Sequence, residues 1–358
     1  MQKDVARDME EFERFLLYGI GNQFKESYKL LKNKEIFLFD SNPQKWGTKY
    51  NGHLIHSPKE ILKYINSKTG IMITSIKNQY EIAKKIVNEY NIPSEYILMY
   101  TSKWYEDHVY KSKDIEKNWD KVLNISEKLA DEESKKYYLD AIIARKNRNP
   151  LLLQPNPKCV VTGEYGTIVC LEKGECIIDC GAYIGDTAEM YMERLNGECK
   201  IYAIEPYEKN FVEMQKRISH KNWEDKVIPY DCAVGRDVGE TLINYNQGDF
   251  GMAINLSERK GKESQVVKIE TLDHLFSDKK VSYVKMDIEG EERKALEGAK
   301  ELIFLNCPKL MISGYHKIED FWEIPETIWS INNNYKIYVG HSPGISTELE
   351  FYCIDDRK

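Results

Sequence analysis

No stretch of this 358-residue chain approaches about 18 uninterrupted apolar residues, so no membrane-spanning helix is expected. Positive charge is not in surplus either. The 51 Lys and Arg stand against 58 Asp and Glu, a net charge of −7. Neutralising phosphates takes clustered basic side chains, so no nucleic-acid partner is expected. The first fifteen residues mix acids with bases and read as neither a signal nor a transit peptide, which makes the cytoplasm the expected location. None of the eight cysteines (Cys159, Cys170, Cys176, Cys180, Cys199, Cys232, Cys307 and Cys353) stands in a C-x-x-C pair. Buried, reduced thiols are expected, with neither a disulfide framework nor a zinc site. Internal repeats and low-complexity tracts are also lacking.

Tyrosine is plentiful, at 24 residues, and the length suggests two domains at about 150 residues each. Strand and helix patterns alternate over residues 1–100: Arg14 to Tyr18, Glu35 to Asp40, Gly70 to Thr74 and Tyr96 to Met99 read as strands, and 78–90 as a helix. That alternation predicts a small parallel α/β domain. Residues 101–158 have almost no Gly and carry helical spacing at Ile115, Trp119, Val122 and Ile125, which predicts a helical connector. From 159 to 358 the alternation resumes, with strands at Cys176 to Asp179, Lys200 to Glu205, Val227 to Ala233, Val281 to Met286 and Lys309 to Ser313. Helices are expected over 187–195, 207–219, 291–304 and 320–332, and an antiparallel hairpin closes the chain from Tyr335 to Ile354. The expected class is α/β, a doubly wound parallel sheet with that hairpin, preceded by the smaller α/β domain.

The strongest motif is Asp179–Cys180–Gly181–Ala182–Tyr183–Ile184–Gly185–Asp186–Thr187, between an apolar strand and a helix. Gly181 and Gly185 clear side chains from a turn that a ligand must approach closely, and Thr187 is placed to cap the helix. About twenty residues on, Glu205 ends the next strand, a position suited to two ribose hydroxyls. The spacing is neither G-x-G-x-x-G nor G-K-[ST], so a dinucleotide or triphosphate cradle does not fit. A nucleoside without a pyrophosphate does, and S-adenosylmethionine is the expected ligand. At the end of a later strand stand Asp287 and Glu289, and the strand after that runs into His316. In a doubly wound sheet these fall beside the Gly181 turn, where two carboxylates and an imidazole suit proton abstraction. Glu291 and Glu292 read as acids complementing a helix N-terminus. Asp287, Glu289 and His316 could instead hold a divalent metal, which is the lesser expectation.

Residues 176–354 resemble the FkbM-type S-adenosylmethionine-dependent methyltransferases. The likeness rests on the Asp179 motif, Glu205–Pro206, Ala233–Val234–Gly235, Thr271–Leu272–Asp273, the run from Lys285 to Glu291, and Tyr315–His316. It implies that Asp179, Gly181 and Glu205 line a cofactor site joined by Ala182, Tyr183, Gly185, Asp186, Thr187 and Pro206. By the same likeness, Asp231, Ala233 and Val234 lie near the adenine. The implied activity is O-methylation of a small-molecule or glycan acceptor, in bacterial polysaccharide or glycan biosynthesis. Gly340–His341–Ser342–Pro343 departs from the Arg-His pair expected in that loop. The first domain resembles, through Gly19, Gly21, Asp40 and the run from Asn51 to Pro58, small Rossmann-like domains of polysaccharide and nucleotide-sugar enzymes; Phe24 stands where a third glycine belongs. The alternative reading is a non-catalytic module that binds S-adenosylmethionine or a nucleotide-sugar, and an NAD-dependent sugar enzyme is a weaker third.

Overall fold

A computed structural model of the chain describes residues 9–154, 169–245, 254–256, 264–341 and 348–357. The chain divides into two compact units. One comprises residues 1–126, 133–157 and 340–349; the other comprises 127–132, 158–339 and 350–358. Cys159 and the Ser342–Pro343 part of the divergent loop lie outside the described residues.

In the first unit, β1 (Arg14–Tyr18), β2 (Glu35–Phe39), β3 (Lys49–Tyr50), β4 (His53–His56), β5 (Thr69–Ile73) and β6 (Ile97–Leu98) form a sheet of order β3-β4-β2-β1-β5-β6. β1 pairs in parallel with both β2 and β5, and its Phe15, Leu16 and Leu17 are wholly buried. Helices α1 (Phe24–Leu31) and α2 (Gln79–Tyr90) flank it. Helices α3 (Lys103–His108), α4 (Ser112–Lys117), α5 (Trp119–Lys128) and α6 (Glu132–Asn147) fall almost entirely within this unit, where the sequence suggested a separate connector. Specific bonds hold them there. Arg148, just past α6, grips Glu106 of α3 with two hydrogen bonds of 2.6 and 2.7 Å, and its carbonyl accepts the Met99 N–H at 2.9 Å. Asp40, one of the residues that carry the first domain's resemblance, is occupied locally. Its carboxylate accepts Ile20 N at 2.7 Å, Asn42 N at 2.8 Å and Lys45 Nζ at 2.8 Å, so it ties the loops after β1 and β2 together.

The second unit is built on β7 (Glu175–Cys180), β8 (Cys199–Ile204), β9 (Val227–Tyr230) and a small second sheet. That sheet holds β10 (Ala233–Val234), β11 (Gly239–Tyr245), β12 (Ile254–Leu256) and β13 (Ser264–Glu270), in the order β10-β13-β11-β12. β14 (Tyr283–Met286), β15 (Lys309–Ser313), β16 (Tyr335–His341) and β17 (Leu349–Asp355) complete the main sheet, of order β16-β17-β15-β14-β7-β8-β9. Strands β9, β8, β7, β14 and β15 run parallel, and β17 is antiparallel to β15. Helices α7 (Asp186–Arg194), α8 (Glu208–His220), α9 (Leu272–Leu275), α10 (Glu292–Glu297), α11 (Lys300–Asn306) and α12 (Asp320–Ile331) fill the connections. Two features of this sheet matter most. Its central strands are near-continuous apolar runs because both faces are covered, and the strand order reverses between β7 and β14.

Three readings are corrected here. Val227 to Ala233 is two short strands in different sheets: Pro229 lacks an N–H, which confines β9 to the sheet edge, and the chain then steps across to β10. The 291–304 helix is two helices, because Gly298 breaks it where a Cβ would lie 2.1 Å from the Gly235 carbonyl oxygen. The first helix of the unit is capped by Gly185 at φ 79°, and Thr187 lies inside its first turn.

Candidate active site

β7 ends in a turn that the residues themselves dictate. Gly181 sits at φ 80°, and a Cβ there would lie 1.9 Å from the carbonyl oxygen of Asp287, so only glycine lets the ends of β7 and β14 come this close. Gly181 N and Ala182 N both donate to the Ile204 carbonyl at 3.0 Å, and Tyr183 N donates to Glu205 Oε2 at 3.0 Å. The turn is thereby pinned to the end of β8. Glu205 is buried and holds further donors, Tyr207 N at 2.9 Å and Asn210 Nδ2 at 3.3 Å. Burial lifts its carboxyl to about 7 against the pull of these bonds.

Between the ends of β7, β8 and β14 opens a cavity of about 330 Å³. Ile204, Pro206, Cys232, Ala233, Val234 and Ile243 give it apolar surface, and Asp186, Glu205, Asp287, Glu289 and Glu291 give it carboxylates. Gly181, Tyr183 and Thr187 also face it. Asp179, expected in the wall, is wholly buried behind it, where its Oδ1 accepts Lys285 Nζ at 2.9 Å. Burial raises the Asp179 carboxyl, and Lys285 only partly offsets that. Lys285 itself reaches the cavity and also bonds the Gly181 carbonyl at 3.3 Å, so the Asp179–Lys285 pair fixes the floor of the turn. Ala182 and Gly185 shape the turn without facing the cavity. Asp231 is exposed, and the adjacent Cys232 takes the place in the wall. Burial pushes that thiol up to about 12, which leaves it an apolar surface and not a nucleophile.

The second cluster lies beyond the end of β14. Asp287 follows β14, and Glu289 follows in a left-handed conformation at φ 58°, with Gly290 at φ 95° completing the turn into α10. His316, after β15, is buried behind both. Its Nε2 stands 3.6 Å from Asp287 Oδ1 and 3.5 Å from Glu289 Oε2, while its Nδ1 stands 3.1 Å from Glu292 Oε1. Carboxylate oxygens at both ring nitrogens call for a proton on each. Burial opposes the charge, yet Glu292, Glu289 and Asp287 together raise the imidazole to about 10. Burial also works against ionised Asp287, but Lys285, His316 and hydrogen bonds from Ser313 and Tyr315 hold its carboxyl below the usual range. Glu289 has no such support, and burial lifts it to about 7. Asp287 and Glu289 face the cavity; His316 does not. Sequence reasoning missed Asn210 and Ile243, neither of which carries a motif of its own. It also assigned Glu292 to the helix dipole, whereas its Oε1 accepts Ile288 N at 2.8 Å and faces the imidazole.

Comparison with known proteins adds an independent line. Residues 179–337 match the family model described as the methyltransferase FkbM domain. The crystal structure of methyltransferase FkbM from Methylobacillus flagellatus KT superposes with a TM-score of 0.70 at 20% identity, covering 95% of this chain and 90% of that one, so the two share a fold. An rRNA methylase from Streptococcus thermophilus has a TM-score of 0.34 at 14% identity, over 52% of this chain and 89% of its own. Aeropyrum pernix fibrillarin, solved with natively bound S-adenosyl-L-methionine, has a TM-score of 0.35 at 8% identity, over 55% of this chain and 70% of its own. No curated protein matches the chain in sequence. Among the described residues, no helix is long and apolar enough to cross a membrane.

Proposed function

We propose that the unit carrying residues 179–337, which match the methyltransferase FkbM domain model, transfers the methyl group of S-adenosylmethionine to a sugar hydroxyl. The observation that carries this reading is the cavity at the β7/β14 reversal, whose lining combines apolar side chains with carboxylates. Adenine fits against Cys232, Ala233, Val234 and Ile243, and Glu205 is placed for the ribose hydroxyls. The Gly181 turn, which no side chain obstructs, is the path for the amino-acid end. The cofactor supplies an electrophilic methyl carbon on a sulfonium, which leaves with its bonding pair on sulfur.

The protein's part is mainly positioning of the acceptor oxygen in line with that carbon. Asp287, held ionised by Lys285 and His316, orients the hydroxyl. Glu289, with a carboxyl near 7, takes the proton as the oxygen forms its new bond. His316 keeps the two carboxylates apart in role and does not itself reach the acceptor. Five carboxylates against Lys285 in the cavity wall disfavour phosphorylated or carboxylated acceptors, so we assign a neutral hydroxyl of a glycan or polysaccharide precursor.

The test is direct. Calorimetry should give one S-adenosylmethionine per chain, and methyl-labelled cofactor incubated with neutral cell-surface glycans should label a product at oxygen. Binding without any labelled product would favour the non-catalytic module. No heat of binding would remove the cofactor assignment altogether.

A further inference from the structure

We infer that Asp287, Glu292 and His316 form a divalent-cation site behind the acceptor end of the cavity. One donor atom from each lies within 4.8 Å of the others. An octahedral ion with bonds of about 2.1 Å holds its donors about 3 to 4 Å apart, so the three need draw in by about 1 to 2 Å. A second observation points the same way. Glu292 is wholly buried and its Oε2 has no hydrogen-bond partner; His316 Nδ1, equally buried, makes no hydrogen bond although Glu292 Oε1 is 3.1 Å away. Buried polar atoms are rarely left so.

The charge balance supplies the reason a cation belongs there. Asp287, Glu289 and Glu292 all face His316, and Asp320 of α12 lies close enough to feel both Glu292 and His316. The neighbouring ammonium groups are engaged elsewhere: Lys285 with Asp179 and the Gly181 carbonyl, Lys317 with the Gly290 carbonyl and Glu291. An imidazolium offers these carboxylates one positive charge. A divalent ion offers two and takes the imidazole as a neutral ligand. Two carboxylates and one imidazole suit Mn²⁺, or Mg²⁺ with more difficulty. Asp287 borders the cavity, so the ion would stand next to the acceptor hydroxyl and raise its acidity. That role rests on the proposed methyl transfer; the binding itself does not.

Mn²⁺ titration of the full chain at pH 7.5, read by electron paramagnetic resonance, should show one site per chain. Calorimetry in two buffers of different ionisation heat should show release of about one proton per ion, because His316 gives up its second N–H. Asp287→Asn and His316→Gln should each weaken binding at least about tenfold. Glu292 is wholly buried, so Glu292→Gln is not the deciding variant; saturable binding by the unaltered protein and its weakening in Asp287→Asn decide without it. Absence of saturable binding below about 1 mM Mn²⁺ would overturn the site. So would binding that is unchanged in Asp287→Asn. Heat of S-adenosylmethionine binding, measured on the same samples, separates failure of the ion site from failure of the cofactor site.

Discussion

Glu289 combines two unusual states, a left-handed backbone without being glycine and a carboxyl lifted to about 7. Both are costs that make it a candidate for a working group. As the proposed proton acceptor it would act ionised, so methyl transfer should rise with pH through about 7 and level off above it. Glu289→Gln should remove that rise and lower turnover by about 10²–10⁴-fold, with S-adenosylmethionine affinity little changed; initial rates from pH 5.5 to 9 read both. A second residue-scale prediction concerns the floor of the turn. Lys285→Met leaves the wholly buried Asp179 without its partner and should cost about 3–5 kcal/mol in urea unfolding. Adding Asp179→Asn should recover most of it. These residues were legible to different degrees. Asp179, Glu205, Asp287 and Glu289 stand at strand ends in recognisable runs, but the pairing of Asp179 with Lys285 joins residues 106 positions apart and no local pattern records it.

At the scale of elements, two glycines separate two physical demands. Gly181 needs both its positive φ and the absence of a Cβ, whereas Gly298 has an ordinary φ of −89° and needs only the space. Gly181→Ala and Gly298→Ala should each destabilise the second unit by about 3 kcal/mol or more, while Gly21→Ala, with open space around it, should change stability by less than about 1 kcal/mol. Thermal unfolding of the three variants checks this. The same contact explains why the 291–304 periodicity misled. The apolar spacing of α10 and α11 is continuous in sequence, and the break comes from the Gly235 backbone of a distant segment. Periodicity reports which face is buried, not whether another chain segment crosses it. The small sheet β10–β13 was missed for a related reason. Gly239 to Tyr245 and Ser264 to Glu270 alternate apolar and polar residues only weakly, and Val266 stays exposed, so pairing across the sheet defines them.

For the molecule as a whole, the buried acids and His316 set the pH dependence of stability. Glu205 and Glu289 rise from 4.5 to about 7, so the folded state binds their protons more tightly and each destabilises increasingly between those values. His316 rises from 6.5 to about 10; its stabilisation is complete below 6.5 and is lost as pH climbs through 10. The two effects run in one direction. The urea midpoint of the second unit should therefore fall steadily from about pH 5 to pH 9, and added Mn²⁺ should reverse much of the loss above pH 7 if the ion takes the place of the proton. The alternation of strands and helices, the strand-end acids and the glycine turn were determined by the sequence itself, because each depends on neighbours within about ten residues. Tertiary structure alone decided which acids face the cavity and which stand behind it, where the helices of 103–147 belong, and that Glu292 serves His316. Those outcomes depend on burial and on approaches between distant segments, and burial is what turns a row of carboxylates into groups with separate roles.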